Sequence, residues 1–113
     1  MGLELHMAFT FKEVNNFTIN SVNAPENGKI PMETLLYNIF HKLERRPNAI
    51  KIMEYLILRE RNNLGFIITK NDMTEFCNIA SGLEKAMDDL KASEFIDWKG
   101  SEIILRYENL LKP

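Results

Sequence analysis

One stretch of the 113-residue chain limits its fold more than any other: Ile68 to Leu105, ITKNDMTEFCNIASGLEKAMDDLKASEFIDWKGSEIIL. It reads as a short helix, a tight turn, a second helix and a two-stranded ribbon. Thr69 caps the first helix, with Asp72 three residues on, where a capping box usually carries Glu or Gln. The second helix has the fuller signature, Ser81-Gly82-Leu83-Glu84. There the Ser hydroxyl and the Glu carboxylate would each satisfy a backbone N–H that the helix leaves unbonded. Leu83, Ala86, Met87 and Leu90 recur at helical spacing, so one face of this helix is expected to be buried and the rest exposed. Phe95-Ile96-Asp97-Trp98 then alternates, Lys99-Gly100 marks a turn, and Ile103-Ile104-Leu105 returns as a strand.

Upstream, Pro31 opens a strong helix in which Met32, Leu35, Leu36, Ile39, Phe40 and Leu43 form one apolar stripe. It ends at Glu44-Arg45-Arg46, because Pro47 disfavours helical backbone in the residue before it. A second helix starts at Arg46 or Asn48. Its wide apolar face of Ile50, Ile52, Met53, Leu56 and Ile57 marks it as central, and Asn62-Asn63-Leu64-Gly65 stops it. Phe66-Ile67-Ile68 follows as a short strand. Near the start, Phe9, Phe11, Phe17 and Ile19 alternate with polar residues, which predicts one or two short strands around Asn15-Asn16. Asn23–Lys29 is a loop, Arg106–Pro113 a short amphipathic tail with Leu110 and Leu111, and Met1–His6 has no evident role, with Met7-Ala8 an alternative start. The expected division is a strand and loop extension over residues 1–30 and a domain over residues 31–113. Helix, turn, helix, ribbon is the order of a winged helix-turn-helix, which presents its second helix to the major groove of DNA. The expected fold is therefore mainly α with a small antiparallel sheet, a winged helix-turn-helix with an extra N-terminal helix and a short N-terminal strand or hairpin.

Charge gives no global push toward nucleic acid: the net formal charge is −2 and the pI near 5.7. Residues 1–68 carry eight Lys/Arg and seven Asp/Glu, net +1, whereas residues 69–113 carry six and nine, net −3. The segment with the DNA-reading shape is the acidic one, so phosphate attraction must come from a few well-placed cations. No apolar run approaches the roughly 20 residues that cross a bilayer, and no basic leader with an apolar core and cleavage site stands at the start. The single Cys77 permits no internal disulfide, and with only His6 and His41 beside it no metal cluster can be built. No phosphate-binding glycine loop or nucleophile–base pair is present. The sequence predicts a cytoplasmic protein that is not an enzyme and uses no cofactor.

Eight residues are the candidate DNA contacts. Ser81, Gly82, Glu84 and Lys85 lie at the N-terminus of the second helix, where Lys85 can reach a phosphate or a guanine edge and Glu84 can accept from cytosine N4. The alternatives are that Glu84 is used up as a cap and that the whole exposed face is a solvated surface. Lys99 and Ser101 sit in the ribbon turn, the alternative being a plain hairpin with Trp98 packed on its neighbours. Lys70 and Asn71 open the first helix, which in this fold crosses the phosphate backbone. Lys42, Arg45, Arg46 and Lys51 form the densest basic cluster, either a solvated face or a second phosphate contact or dimer clamp. The stripe of Leu35, Leu36, Ile39, Phe40 and Leu43 is either core or the seam of a homodimer. Cys77 reads as a buried core thiol and His41 as an exposed helix residue.

The runs ETLLYNIFHKL, IKIMEYLI, ASGLEKAMDDLKASEFIDWKG and IILRYENLL, between Glu33 and Leu111, resemble the RepL family of firmicute plasmid and phage replication proteins. The resemblance rests on apolar spacing over about two thirds of the chain; Tyr107-Glu108 stands where that family closes with Asn-Pro. It implies origin binding in plasmid replication, and partition adaptors and transcription regulators share the architecture. Together these observations predict a homodimer that binds double-stranded DNA in the replication, partition or transcriptional control of a plasmid or phage. The alternative is a protein-interaction module whose acidic helix face docks on a basic protein partner.

Overall fold

A computed structural model describes residues 14–22, 31–61, 67–79 and 81–111. In chain order these form β1 (Asn16–Val22), α1 (Met32–Lys42), α2 (Pro47–Arg61), β2 (Ile67–Thr69), α3 (Lys70–Cys77), α4 (Leu83–Ala92), β3 (Ile96–Lys99), β4 (Glu102–Arg106) and the single turn α5 (Tyr107–Leu110). The result is a mixed α/β domain of five helices and one four-stranded sheet. The strand expected at Phe9 and Phe11, the Asn23–Lys29 loop and the Asn62–Gly65 stop lie outside the described residues.

The sheet has the order β2-β1-β4-β3. β3 and β4 form the expected hairpin, with Trp98 opposite Ile103. β1 pairs antiparallel with β2, Phe17 opposite Ile68, but parallel with β4, Ile19 opposite Ile103. The sheet is therefore mixed, and the expectation of a purely antiparallel one is corrected. The physical reason is connectivity: parallel neighbours need a long crossover, and the helices between β1 and β4 supply it. Phe17 and Ile19 are fully buried while Thr18 and Asn20 face solvent, the period-2 pattern of a strand with one face on a core. With both its edges hydrogen-bonded, β1 is the inner strand that joins β2 to the hairpin, so residues 14–22 belong to the same folding unit as residues 31–111 rather than to an extension before it.

α2 is the central helix its wide apolar face predicts, burying Ala49, Ile52, Met53, Tyr55, Leu56 and Ile57. Around it close Leu35, Ile39 and Leu43 from α1, Met73 and Cys77 from α3, and Leu83, Ala86, Met87 and Leu90 from α4. Full burial of such a side chain contributes about 1.5–3 kcal/mol. Polar ties lock the layers together. Glu60 on α2 accepts from the Tyr107 hydroxyl at 2.7 Å and from the Ser21 hydroxyl at 3.1 Å, joining α5 and β1 to the central helix. Burial, reinforced by the Glu60 hydrogen bond, pushes the Tyr107 phenol above its ordinary pKa. Asn38, a buried polar residue of α1, donates to the Leu110 carbonyl at 2.8 Å.

Candidate nucleic-acid interface

The site is built on α3, its turn and α4. Thr69 caps α3 as expected, its hydroxyl accepting from the Asp72 N–H at 3.0 Å. α3 ends at Asn78, whose left-handed φ of 55° suits Asn. The Asn78 and Ile79 N–H groups bond back to Glu75 and Thr74, the paired bonds of a Schellman close. α4 ends the same way, Glu94 and Phe95 bonding back to Lys91 and Leu90, but with Glu94 in the left-handed position at φ 64°.

α4 starts differently from the sequence expectation. Its N-cap is Gly82, left-handed at φ 88°, and no side chain caps it. The Ser81–Glu84 capping box is thus corrected. The ladder begins with Ala86 N–H on the Gly82 carbonyl, which leaves Ser81 one residue outside the cap position. Ser81, Gly82, Glu84 and Lys85 are all exposed, at a helix N-terminus that no side chain closes.

That N-terminus packs against the start of α2. A cleft of about 180 Å³ lies between them, lined by Arg45, Arg46, Asn48, Gly82, Lys85 and Asp89 among others. A Cβ on Gly82 would meet the Asn48 Nδ2 at an ordinary 3.4 Å, so the positive φ rather than crowding is what requires glycine. Asp89, with only 17% of its side chain exposed, holds two cations on one oxygen: Arg46 Nε at 3.4 Å and Lys85 Nζ at 3.6 Å. With Arg45 on the rim, the cleft sets three cations against one carboxylate. Half of the basic cluster in the sequence is therefore placed beside α4. Neither Asp89 nor Asn48 is among the contacts expected from sequence, because their place in the cleft depends on contact between two helices distant in the chain.

The other candidates occupy separate places. Lys70 and Asn71 share a second cleft of about 230 Å³ with Asn15, Asn16 and Thr69. There the Lys70 N–H donates to the Asn15 carbonyl at 2.9 Å. Lys99 and Ser101 are exposed on the β3–β4 turn, where Gly100 takes a φ of 59°. The turn is pinned from two sides: the Trp98 indole N–H donates to the Gly100 carbonyl at 3.0 Å, and the Thr18 N–H of β1 donates to the Ser101 carbonyl at 2.9 Å. Lys99 stands opposite Glu102 in the ladder.

Of the residues expected at a dimer seam, Leu35, Ile39 and Leu43 are fully buried in this chain's own core and present nothing to a second copy. Leu36 is half-buried, and Phe40 is half-exposed next to Tyr37 on the outer face of α1. Cys77 is buried as expected, its thiol donating to the Lys51 carbonyl at 3.4 Å, and burial pushes its pKa up to about 11. At neutral pH it is a protonated core thiol rather than a nucleophile. Among the described residues no three His, Cys, Asp or Glu side chains gather as a metal site, and no helix is long and apolar enough to cross a membrane. Comparison with protein-family models, curated proteins and solved structures gave no match.

Proposed function

We propose that this chain is a winged helix-turn-helix protein that binds double-stranded DNA, with α3 and α4 as the helix pair and the β3–β4 hairpin as the wing. The observation that carries this is the cleft at the start of α4. It joins an uncapped helix N-terminus to Arg45, Arg46 and Lys85, and oriented N–H groups with cations beside them are what a phosphate needs. Under this proposal the exposed side of α4 enters the major groove. Arg45, Arg46 and Lys85 take backbone phosphates beside it, Lys99 on the pinned wing takes another, and Lys70 with Asn71 positions the start of α3. The processes it fits are the replication, partition or transcriptional control of a plasmid or phage, as the resemblance to RepL proteins implies.

A second role is favoured by one observation: Glu84 and Asp88 are exposed on the same outer face of α4, which a basic protein partner would meet more readily than a phosphate. Salt and partner charge separate the two. Fluorescence anisotropy on duplexes selected from a genomic library, starting at about 50 mM salt, should show affinity falling linearly with log salt. Neutralising Lys85 or Arg45 should flatten that slope by about one unit each. A protein that retains no duplex at low salt defeats the DNA proposal.

A further inference from the structure

A groove of about 310 Å³ lies between the second half of α2 and the outer side of α3, lined by Tyr55, Arg59, Asp72, Glu75 and Phe76. Two of its polar atoms are anomalous. The Tyr55 hydroxyl and the Arg59 Nε–H are buried and have no hydrogen-bond partner among the described residues, and Tyr55 as a whole is 4% exposed. Buried donors are nearly always satisfied, so two unsatisfied ones in a single groove mark a place where acceptors are missing. The Phe76 ring, 57% exposed, tilts over Tyr55 at a centroid distance of 4.9 Å, and the Arg59 guanidinium lies 5.8 Å from the same ring. Because the Phe76 ring is half in water, a segment entering the groove can push it aside on the way to the Tyr55 hydroxyl. Asp72 and Glu75 are exposed carboxylates on the rim.

We propose that this groove is a docking site for a basic peptide segment of a partner protein. Backbone carbonyls of the segment accept from the Tyr55 hydroxyl and the Arg59 Nε–H, and an Arg or Lys side chain lies across Phe76 to reach Asp72 and Glu75. Each part of such a segment meets its complement: carbonyl acceptors for orphan donors, a cation for two carboxylates, and an aliphatic stem for an exposed ring. An open groove of this kind suits an extended segment better than a small molecule, which needs enclosure on most sides. The site stands apart from the α4 cleft and does not depend on DNA binding.

The test is an NMR titration of the isotope-labelled protein with three probes: acetyl-Ala-Arg-Ala-amide, acetyl-Ala-Glu-Ala-amide and free arginine. The blocked Arg peptide should shift the Arg59 Nε–H and the Phe76 ring signals in a saturable way. The Glu peptide should not, and Asp72→Asn/Glu75→Gln should weaken the Arg peptide at least fivefold. That variant changes two exposed side chains, so it should remain folded, as its spectrum will verify. Equal response to the Glu peptide overturns the charge complementarity, response to free arginine alone overturns a peptide in favour of a small ligand, and no response to any probe overturns the site.

Discussion

Asp89→Asn offers the sharpest trial of the α4 cleft, because it should move DNA affinity and stability in opposite directions. In the free protein one Asp89 oxygen holds Arg46 and Lys85 at 3.4 and 3.6 Å. A phosphate binding the outer side of either cation would lie roughly 7 Å from that carboxylate. At that distance two like charges repel by about 0.6 kcal/mol at a dielectric constant of about 80 and about 2.4 kcal/mol at about 20. Arg46 and Lys85 are 53% and 79% exposed, which favours the lower value. Removing the charge should therefore tighten duplex binding about three- to tenfold at low salt, the gain shrinking as the screening length drops to about 8 Å near 0.15 M. Stability should fall by under about 1 kcal/mol, since both pairs are largely solvated and a carboxylate in the last turn of α4 opposes the helix dipole. Anisotropy with a bound duplex reads the first effect and urea denaturation the second. Unchanged or weaker DNA binding by a folded Asp89→Asn protein would refute phosphate binding in this cleft.

Three further outcomes follow from the fold. Glu94→Gly should raise stability by about 0.5–1 kcal/mol, because glycine relieves the left-handed φ of 64° while the Asn109 Nδ2 bond to the residue 94 carbonyl is kept; thermal unfolding should show a gain of a few degrees. Alkaline pH should destabilise the protein. Folding raises the Cys77 pKa from 9.0 to about 11, so its contribution is complete below pH 9 and is lost as pH climbs to 11. The full shift would correspond to about 2–3 kcal/mol, and solvent screening of the thiolate brings the loss below that. Tyr107 acts in the same direction, and Cys77→Ala should reduce the slope of urea stability against pH. Phe17→Ala, emptying a fully buried position on β1, should cost about 3–5 kcal/mol and disturb the β3–β4 turn signals, whereas a detachable N-terminal strand would leave that turn untouched.

What the sequence made legible were local patterns. The Leu83, Ala86, Met87, Leu90 period marks the buried face of α4, Thr69 marks the start of α3, and Lys99-Gly100 marks the hairpin turn. Where two local signals competed, the outcome depended on neighbours: Ser81 and Gly82 both suit a helix start, and the left-handed glycine packed against Asn48 took the cap. Long-range pairing left no trace to read. Thr18 opposite Glu102 joins strands more than 80 residues apart, and alternation in Phe17 and Ile19 says that a strand exists without naming its neighbour. The α1 stripe had the same ambiguity, since apolar spacing is identical for a core and for a seam. Burial of Leu35, Ile39 and Leu43 decides for core.

Net charge counted along the chain proved a poor guide to the candidate site for the same reason. Residues 69–113 are net −3, yet folding brings Arg45 and Arg46 from the other half against α4 and commits Asp89 internally to Arg46 and Lys85. On α4 the carboxylates still facing outward are Glu84 and Asp88. On a DNA-reading helix they would be repelled by any phosphate but could accept from cytosine N4 in the groove. Such a surface gives up sequence-independent affinity, which comes from phosphates, and keeps the part that distinguishes bases. A protein built this way would hold random duplex weakly and depend on its own site, so the ratio of specific to random binding, more than the absolute affinity, is where the acidic face of α4 should show its effect.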